Sequence, residues 1–215
     1  LVEEAARVYG YDNIGREETT RCSIFSQITA GDRRNEGIID YLVARGLAEV
    51  ITSSFMDPGD PVRMGWGARD ERSIPLRVAN PLTEAQSALR TSLIPGLFGV
   101  ARRNTPAEQE EIRVFEIGKV FIRASGGAGL PREEVRLTAL FARQATPLQW
   151  VEKQRQSDFF DMKGELEGLF ERLGVGAGVA VKRSPDRPSA ILQWTLNGAL
   201  LAEGGIVPKR VSEAF

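Results

Sequence analysis

The sequence feature that most constrains the fold is a succession of turn, helix start and apolar strand between residues 79 and 122. Asn80-Pro81 indicates a turn, because proline fixes its own φ angle and keeps the preceding residue out of the helical region. Pro95 stands where a helix can begin, since its missing N–H would lack a partner there anyway. The apolar residues of Ile112–Ile122 (IRVFEIGKVFI) then predict a largely buried strand. We expect the rest of the chain to cover this helix and strand.

The segments before this stretch predict two helices and a strand. Leu1–Tyr11 has apolar residues at spacings of three and four, which is typical of a helix. Asp32 is the predicted N-cap of a second helix, which Gly46 ends. Leu47–Phe55 follows as a strand rich in β-branched residues. These patterns place a helix directly before a strand in the first quarter of the chain.

The segments after it predict a strand, a helix and a final group of strands. Glu134–Gln144 alternates between apolar and polar residues and is expected to pair with the preceding strand. Asp158–Leu173 carries one apolar stripe and is the clearest helix of the chain. The remaining predicted strands are Val179–Lys182, Ile191–Leu196 and Leu200–Val207, the last two joined by the hairpin signal Asn197-Gly198. The order predicts an α+β fold in which most neighbouring strands are antiparallel.

Composition excludes several classes of function. The chain of 215 residues contains no histidine, which excludes Ser-His-Asp and Cys-His catalysis and histidine-bearing zinc sites within it. Its net charge of −1 provides no global attraction to nucleic acid. Cys22 is the only cysteine, so an internal disulfide is excluded and a reducing cytosol is indicated. No stretch approaches the ~20 apolar residues of a membrane helix, and no leader peptide is recognisable. Composition does not exclude catalysis by carboxylates, phosphate binding by Lys or Arg, or Mg²⁺ bound by oxygen ligands.

Glu3 and Glu4 allow two interpretations. In the first turn of a helix, carboxylates are favoured by the helix dipole, and spacing alone favours this interpretation. Alternatively, the two side chains are a pair of Mg²⁺ ligands, which would need further oxygen ligands from elsewhere.

Five segments in order resemble one family, the β subunit of bacterial-type phenylalanyl-tRNA synthetase. The resemblance covers essentially the whole chain and rests on Val2–Ile14, Gly46–Phe55, Asn80–Leu97 (NPLTEAQSALRTSLIPGL), Val114–Phe121 (VFEIGKVF) and Asp158–Gly164 (DFFDMKG). It implies an antiparallel sheet flanked by helices, similar to class II synthetase catalytic domains. It also implies that residues 1–15 are the tail of a preceding, B5-like domain and that residues 16–215 are the class II-like domain.

Compared with the class II pattern, the chain resembles the helices and strands of motifs 1 and 2 but lacks the residues that bind ATP. Asp32–Phe55 resembles motif 1, which forms subunit interfaces in that class, with Ser53 where a proline is expected. The strand ending at Phe121 resembles the first strand of motif 2, in which an arginine grips the α-phosphate of ATP. Ile122 occupies the position of that arginine, and an aliphatic side chain donates no hydrogen bond to a phosphate. The glutamate of motif 2 falls near Ala124, and no motif 3 is visible after residue 205.

The resemblance therefore implies a catalytically silent domain, in which no catalytic or cofactor-binding residue is assigned. Arg90 and Arg123 are conceivable substitutes for the missing arginine, but each is more simply explained as a surface or interface charge. The resemblance also implies that Glu3 and Glu4 contribute Mg²⁺ ligands near the boundary with the α subunit, which makes the metal interpretation about as probable as the dipole one. The aspartates that would complete this cluster are expected before Leu1.

The implied partners are those of the whole enzyme. The domain would dock on the catalytic α subunit in a cytoplasmic α₂β₂ heterotetramer that charges tRNA-Phe with ATP and Mg²⁺, with no membrane partner. The helix Asp32–Arg45 and the strand after it are the expected interface. Two alternatives remain: a self-sufficient class II-like ligase that activates an amino acid, which would need a phosphate-gripping arginine, and a protein-interaction domain unrelated to tRNA.

Overall fold

The computed structural model describes residues 1–15, 27–105, 111–124, 129–145, 150–151, 153–184 and 192–215. Within these residues the chain is α+β, as the sequence predicts. The α-helices are α1 (Val2–Tyr9), α2 (Ala30–Ala44), α3 (Asp60–Arg63), α4 (Ile94–Asn104), α5 (Phe159–Arg172) and α6 (Lys209–Ser212). The strands are β1 (Ala48–Glu49), β2 (Phe55–Met56), β3 (Ala88–Leu89), β4 (Glu111–Ile122), β5 (Arg132–Arg143), β6 (Val179–Arg183), β7 (Leu192–Leu196) and β8 (Ala199–Gly204).

The chain divides into two compact units, Leu1–Arg33 and Arg34–Phe215. The first contains α1, which confirms the predicted N-terminal helix and is followed by Gly10 with φ +90°. The predicted domain boundary at residue 15 adjoins residues 16–26, which lie outside the described residues together with Cys22, so it stays a prediction. In the described part of the chain, no helix is both long enough and apolar enough to cross a membrane.

The long strand β4 is the centre of the larger unit. It pairs antiparallel with β5 over its whole length, from Glu111 opposite Arg143 to Ile122 opposite Arg132. The short strand β1 pairs parallel to β4 on the other side, so the order is β1-β4-β5. The predicted strand over 112–122 and its pairing with the segment after it are therefore confirmed.

Helices cover both faces of β4, because successive side chains of a strand point to opposite faces. On one face Phe115 packs against Leu169 of α5 and against Ile38 and Leu42 of α2. On the other face the side chains at even positions meet α4, which begins at Ile94 and has the predicted Pro95 in its first turn. The buried residues of that second cluster are Leu97, Val100, Ile112 and Val114. The helix–strand pair predicted from the sequence is thus the core of this unit.

The predicted strand Leu47–Phe55 is wrong as a continuous element. Only residues 48–49 pair with β4, and the Val50 N–H still donates to the Phe115 carbonyl (2.8 Å). The chain then leaves the sheet at residues 51–54 and forms β2, which pairs antiparallel with β3. The physical reason is a set of polar contacts made by Thr52, described below, which sequence propensity does not reveal.

The prediction that Asp32 is the N-cap of the second helix is also wrong, because the helix starts before this residue. Helix α2 begins at Ala30, so Asp32 lies in its first turn and its carboxylate accepts from the Thr29 N–H (2.8 Å) and hydroxyl (2.7 Å). The Asp32 N–H donates in return to Thr29 Oγ1 (3.1 Å), which is the reciprocal geometry of a capping box. The hydroxyl bond from Thr29 lowers the pKa of Asp32. The predicted end at Gly46 is consistent with its φ of +83°.

Three antiparallel strands, β6-β7-β8, form a separate small sheet. Asn197 and Gly198 have φ angles of +50° and +81°, which are those of a type I′ turn and confirm the predicted hairpin. Strand β8 ends at Gly204, before the predicted Val207, and Ile191 lies outside the described residues.

Removing the N-cap of α5 is expected to lower the free energy of unfolding by about 1 kcal/mol. Asp158 accepts from the N–H groups of Phe160 (2.7 Å) and Asp161 (3.2 Å), while Asp161 accepts from the Asp158 N–H (2.8 Å). Asp158→Ala leaves two helical N–H groups without this acceptor. Urea unfolding of the 215-residue chain measures the loss, with Asp40→Ala on the exposed side of α2 as the matched control. Equal midpoints for the two variants would contradict the prediction.

Candidate functional site

A buried ion pair joins three separate segments beside α4. The Arg90 guanidinium donates through Nη1 to Glu116 Oε1 at 2.6 Å, and the two residues are 6% and 1% exposed. Thr52 donates to the same carboxylate through its hydroxyl (2.7 Å to Oε2) and its N–H (3.2 Å to Oε1). Arg90 Nε also donates to the carbonyl of Lys119 (2.8 Å). We refer to Thr52, Arg90 and Glu116 as the polar lock.

Two glycines leave room for the polar lock. A Cβ at Gly118, two residues along β4 from Glu116, would overlap Arg90 Nη2 and lie 3.1 Å from Glu116 Oε1. A Cβ at Gly96 in α4 would overlap Thr52 Oγ1 and lie 2.9 Å from Thr52 Cβ. The absence of a side chain at both positions therefore lets Arg90 cross β4 and lets α4 approach Thr52.

The expectation that Arg90 is a surface or interface charge is wrong. Its guanidinium is buried and occupied, because Glu116 balances its charge and the Lys119 carbonyl and Thr52 hydroxyl accept from it. Nε and Nη1 already donate, so neither edge of the guanidinium has two free donors for the bidentate grip of a phosphate. Arg123, at the end of the strand, is exposed. The polar lock therefore joins segments of the fold and offers no phosphate site.

Ile122, which the sequence analysis predicts to stand in the place of the phosphate-gripping arginine, belongs to the core. Its side chain is 1% exposed, and its backbone pairs with Arg132 of β5. A fully buried aliphatic side chain at the end of β4 provides neither a donor nor a positive charge for ATP.

A cleft of about 620 Å³ lies beside the polar lock, between the segment 51–63 and α4. Besides Arg90 of the polar lock, its charged lining residues form two groups, Asp57, Asp60 and Arg63 in and just before α3, and Arg102 and Arg103 in the last turn of α4. Arg63 donates to Asp60 (2.6 Å) and Asp57 (2.9 Å), so the first group is paired within itself. The Gly59 N–H lowers the pKa of Asp57, whereas burial raises the pKa of Asp60.

The predicted metal ligands lie on α1. Glu3 and Glu4 are both exposed, and Glu4 accepts from Arg7 through Nη2 (2.8 Å) and Nε (3.0 Å). Among the described residues no three His, Cys, Asp or Glu side chains lie close enough together to hold one ion. Two carboxylates, one of them paired with an arginine, do not make a Mg²⁺ site by themselves. The metal role of Glu3 and Glu4 therefore stays a prediction that requires ligands from outside the described residues.

The predicted interface helix uses its apolar stripe inside the fold. Ile38 and Leu42 of α2 are buried in the core, and Arg45 beyond its end donates to Glu165 of α5 (2.8 Å). Among the large apolar side chains of this helix, Val43 is 52% exposed. On the segment that follows, Ile51 is 91% exposed and Phe55 is 43% exposed. A role of α2 at a subunit interface stays a prediction.

Sequence reasoning missed the polar lock and the cleft. One signal was present, since Glu116 is an acidic residue between the apolar Phe115 and Ile117 in a strand that its sequence predicts to be largely buried. A buried carboxylate requires a cation and hydrogen-bond donors, and Gly118 beside it indicates that something passes close to the backbone. Which arginine and which hydroxyl fill these roles is decided by contacts across 26 and 64 residues of sequence.

Comparison with known proteins places the chain among synthetase subunits. Residues 21–195 match the family model of the phenylalanyl tRNA synthetase beta chain CLM domain. A phenylalanine–tRNA ligase β subunit of Syntrophus aciditrophicus is 38% identical over 178 residues, which are 81% of this chain and 22% of that protein. The corresponding subunit of Halalkalibacterium halodurans is 33% identical over 218 residues, covering 99% of this chain and 27% of that protein. The chain thus spans about a quarter of the length of these relatives.

The fold is similar to that of a solved synthetase. A pyrrolysyl tRNA synthetase of Desulfitobacterium hafniense superimposes with a TM-score of 0.64 at 19% sequence identity. The match covers 86% of this chain and 61% of the synthetase chain. At this identity the likeness is one of fold, and it confirms the predicted class II-like architecture.

Proposed function

Because the chain belongs to the phenylalanyl-tRNA synthetase β-chain family as its class II-like domain, we propose that it is a catalytically silent module that docks on the catalytic α subunit. The whole enzyme, phenylalanine–tRNA ligase, would be a cytoplasmic α₂β₂ heterotetramer that attaches phenylalanine to tRNA-Phe with ATP and Mg²⁺. In this proposal the α subunit forms the adenylate, and the module described here contributes structure and contact surface.

The observation that carries the proposal is the buried Ile122 at the end of β4. Activation of an amino acid by ATP develops negative charge on the α-phosphate, which enzymes stabilise with cations and hydrogen-bond donors fixed in place. The side chain of Ile122 is neither a cation nor a hydrogen-bond donor. Arg90, a conceivable substitute for the missing arginine, forms an ion pair with Glu116. A self-sufficient ligase is therefore disfavoured, and the family match disfavours an interaction domain unrelated to tRNA.

The test is phenylalanine-dependent exchange of pyrophosphate into ATP by the complete β subunit that contains this module. We expect no exchange by the β subunit alone and exchange when the α subunit is added. The two subunits should also co-purify as one complex of both chains.

The ligase alternative makes the opposite prediction. If the β subunit alone catalysed exchange, and Arg123→Ala in the same chain abolished it, the module would be an enzyme in its own right. Lys182→Ala, which removes an exposed cation on β6, is the matched control for Arg123→Ala. Failure of the α and β subunits to associate would contradict the docking role independently of any activity.

A further inference from the structure

Glu71 joins the segment that follows α3 to two arginines of β5. Its carboxylate lies 3.0 Å from Arg132 Nη2 and 3.5 Å from Arg136 Nη2. On β4, the residues directly opposite these arginines are Ile122 and Gly118. Because directly opposite residues of an antiparallel pair have their side chains on the same face, Glu71 lies over the face of β4 that carries Ile122.

The next residue, Arg72, is attached on the other side of β4. Its carbonyl accepts from the Thr91 hydroxyl at 2.8 Å, and Thr91 is fully buried. Thr91 follows Arg90, whose carbonyl accepts from the Phe121 N–H (2.9 Å) on the edge of β4 that faces β1. Consecutive Cα atoms are about 3.8 Å apart, less than the spacing of ~4.8 Å between neighbouring strands. Residues 71 and 72 therefore cross over β4.

Residues 66–73, which we call the strap, form one unit around this crossing. The Arg72 guanidinium lies 4.6 Å from the centre of the Trp66 ring and donates to the Asp70 carboxylate (2.6 Å). Trp66 itself packs against the apolar cluster beside α4. The strap is thus attached at one end by apolar packing and at the other end by the ion pairs of Glu71.

The strap lies over the end of β4 where Ile122 is predicted to replace the phosphate-gripping arginine. Val120 and Ile122, on this face, are 0% and 1% exposed. A nucleotide bound as the resemblance to class II domains implies would need the space above this position. The missing arginine removes the attraction for a phosphate, whereas the strap takes the space that the nucleotide would need.

The attachment of the strap to β5 is electrostatic and lies at the surface. The side chains of Glu71, Arg132 and Arg136 are 48%, 56% and 34% exposed. Salt screens interactions between exposed charges, because the Debye length falls from about 30 Å at ~0.01 M to about 3 Å at ~1 M. Salt does not screen the apolar packing of Trp66. We therefore expect the strap to loosen at its Glu71 end as the ionic strength rises.

We propose that the strap is a built-in cover of this module. The ion pairs of Glu71 with Arg132 and Arg136 hold it over Ile122, where it excludes nucleotides, and it opens when these pairs are broken. The inference rests on the proposed function, which makes a nucleotide the ligand to be excluded. It adds a steric cause of catalytic silence to the missing arginine.

The experiment measures hydrogen–deuterium exchange of the complete β subunit by mass spectrometry. We expect Glu71→Arg to speed exchange in residues 66–73 about tenfold, because repulsion replaces two ion pairs. Raising NaCl to about 1 M should speed exchange of the wild-type strap and slow that of the variant, in which salt screens the repulsion. Exchange in α5 should be unchanged, as expected for a local opening.

Glu36→Arg is the matched control, because it makes the same charge change at an exposed glutamate of α2. The strap of this variant should exchange like that of the wild type at both salt concentrations. Mg-ATP at a millimolar concentration is the second probe. It should leave exchange of the wild-type strap unchanged, because the closed strap leaves no room for the nucleotide.

The outcomes distinguish this inference from the proposed function. If the strap exchanges at the same rate in Glu71→Arg and Glu36→Arg, Glu71 does not hold it, and the inference is wrong while the proposed function stands. Equal acceleration in α5 would indicate loosening of the whole module and would also contradict a local strap. Slower exchange of the wild-type strap with Mg-ATP would show that a nucleotide reaches this face, which overturns the inference. The proposed function fails on different observations, namely pyrophosphate exchange by the β subunit alone or its failure to associate with the α subunit.

Discussion

Glu116→Ala is expected to lower the free energy of unfolding by about 3–5 kcal/mol, the cost of leaving a buried charge without its partner. The variant leaves the Arg90 guanidinium buried with its hydrogen bonds to Thr52 and the Lys119 carbonyl and without a counter-charge. It also removes the acceptor of the Thr52 hydroxyl and N–H, so Thr52 loses its two hydrogen bonds to β4. Urea unfolding of the 215-residue chain, followed by circular dichroism, measures the loss.

A double variant separates charge from packing. Arg90→Met/Glu116→Met replaces both partners with apolar side chains of similar size, so no charge is left unpaired. We expect it to be more stable than Glu116→Ala, because the desolvation cost of the pair is removed together with its attraction. A double variant at least as unstable as the single one would show that the polar lock contributes more than charge compensation, and would contradict this account.

Gly96→Ala is expected to destabilise the chain by about 2–3 kcal/mol, although alanine favours helices more than glycine does. The new Cβ would lie 2.9 Å from Thr52 Cβ, and that atom cannot rotate away because it is fixed to its own backbone. Either α4 or the segment at Thr52 must move, and movement of Thr52 stretches its bonds to Glu116. The midpoint of urea unfolding reports this loss.

The same substitution elsewhere in a helix should have the opposite sign. Gly164 lies within α5, is exposed, and has no atom within 4 Å of the position its Cβ would take. Gly164→Ala is therefore expected to stabilise the chain by about 0.5–1 kcal/mol through helix propensity alone. Similar effects of both substitutions, in either direction, would show that the contact between α4 and Thr52 is not close-packed.

The elements with a clear period or a clear turn signal were predictable from the sequence. Strand β4, helix α5 and the hairpin at Asn197-Gly198 form at the expected residues, because in each case the local pattern and the tertiary packing favour the same structure. The segment Leu47–Phe55 was predicted wrongly for the opposite reason. Its β-branched residues favour a strand, while the bonds of Thr52 to Glu116 bend the chain away from the sheet.

For the candidate site, the sequence predicted only which group is missing, and not which residues come together. The resemblance to class II synthetases indicated that Ile122 replaces a catalytic arginine, and the structure places that side chain in the core. The role of Arg90 was misjudged, because a charged residue in an isolated sequence is most simply explained as a surface group. Its burial depends on Glu116, which lies 26 residues further along the chain.

The sequence by itself determined the class of fold and the family, since these depend on local periodicity, turn residues and short motifs in order. It also led to the prediction that Ile122 stands in the place of the phosphate-binding arginine. Only the tertiary structure decided that Arg90 is a buried partner of Glu116, that two glycines make room for this pair, and that Ile51 and two arginines share one cleft. The physical reason is that burial and charge compensation are properties of residues brought together by folding. Hydrogen bonds and close contacts act over a few ångströms, and no periodicity in the chain encodes which distant residue will lie within that range.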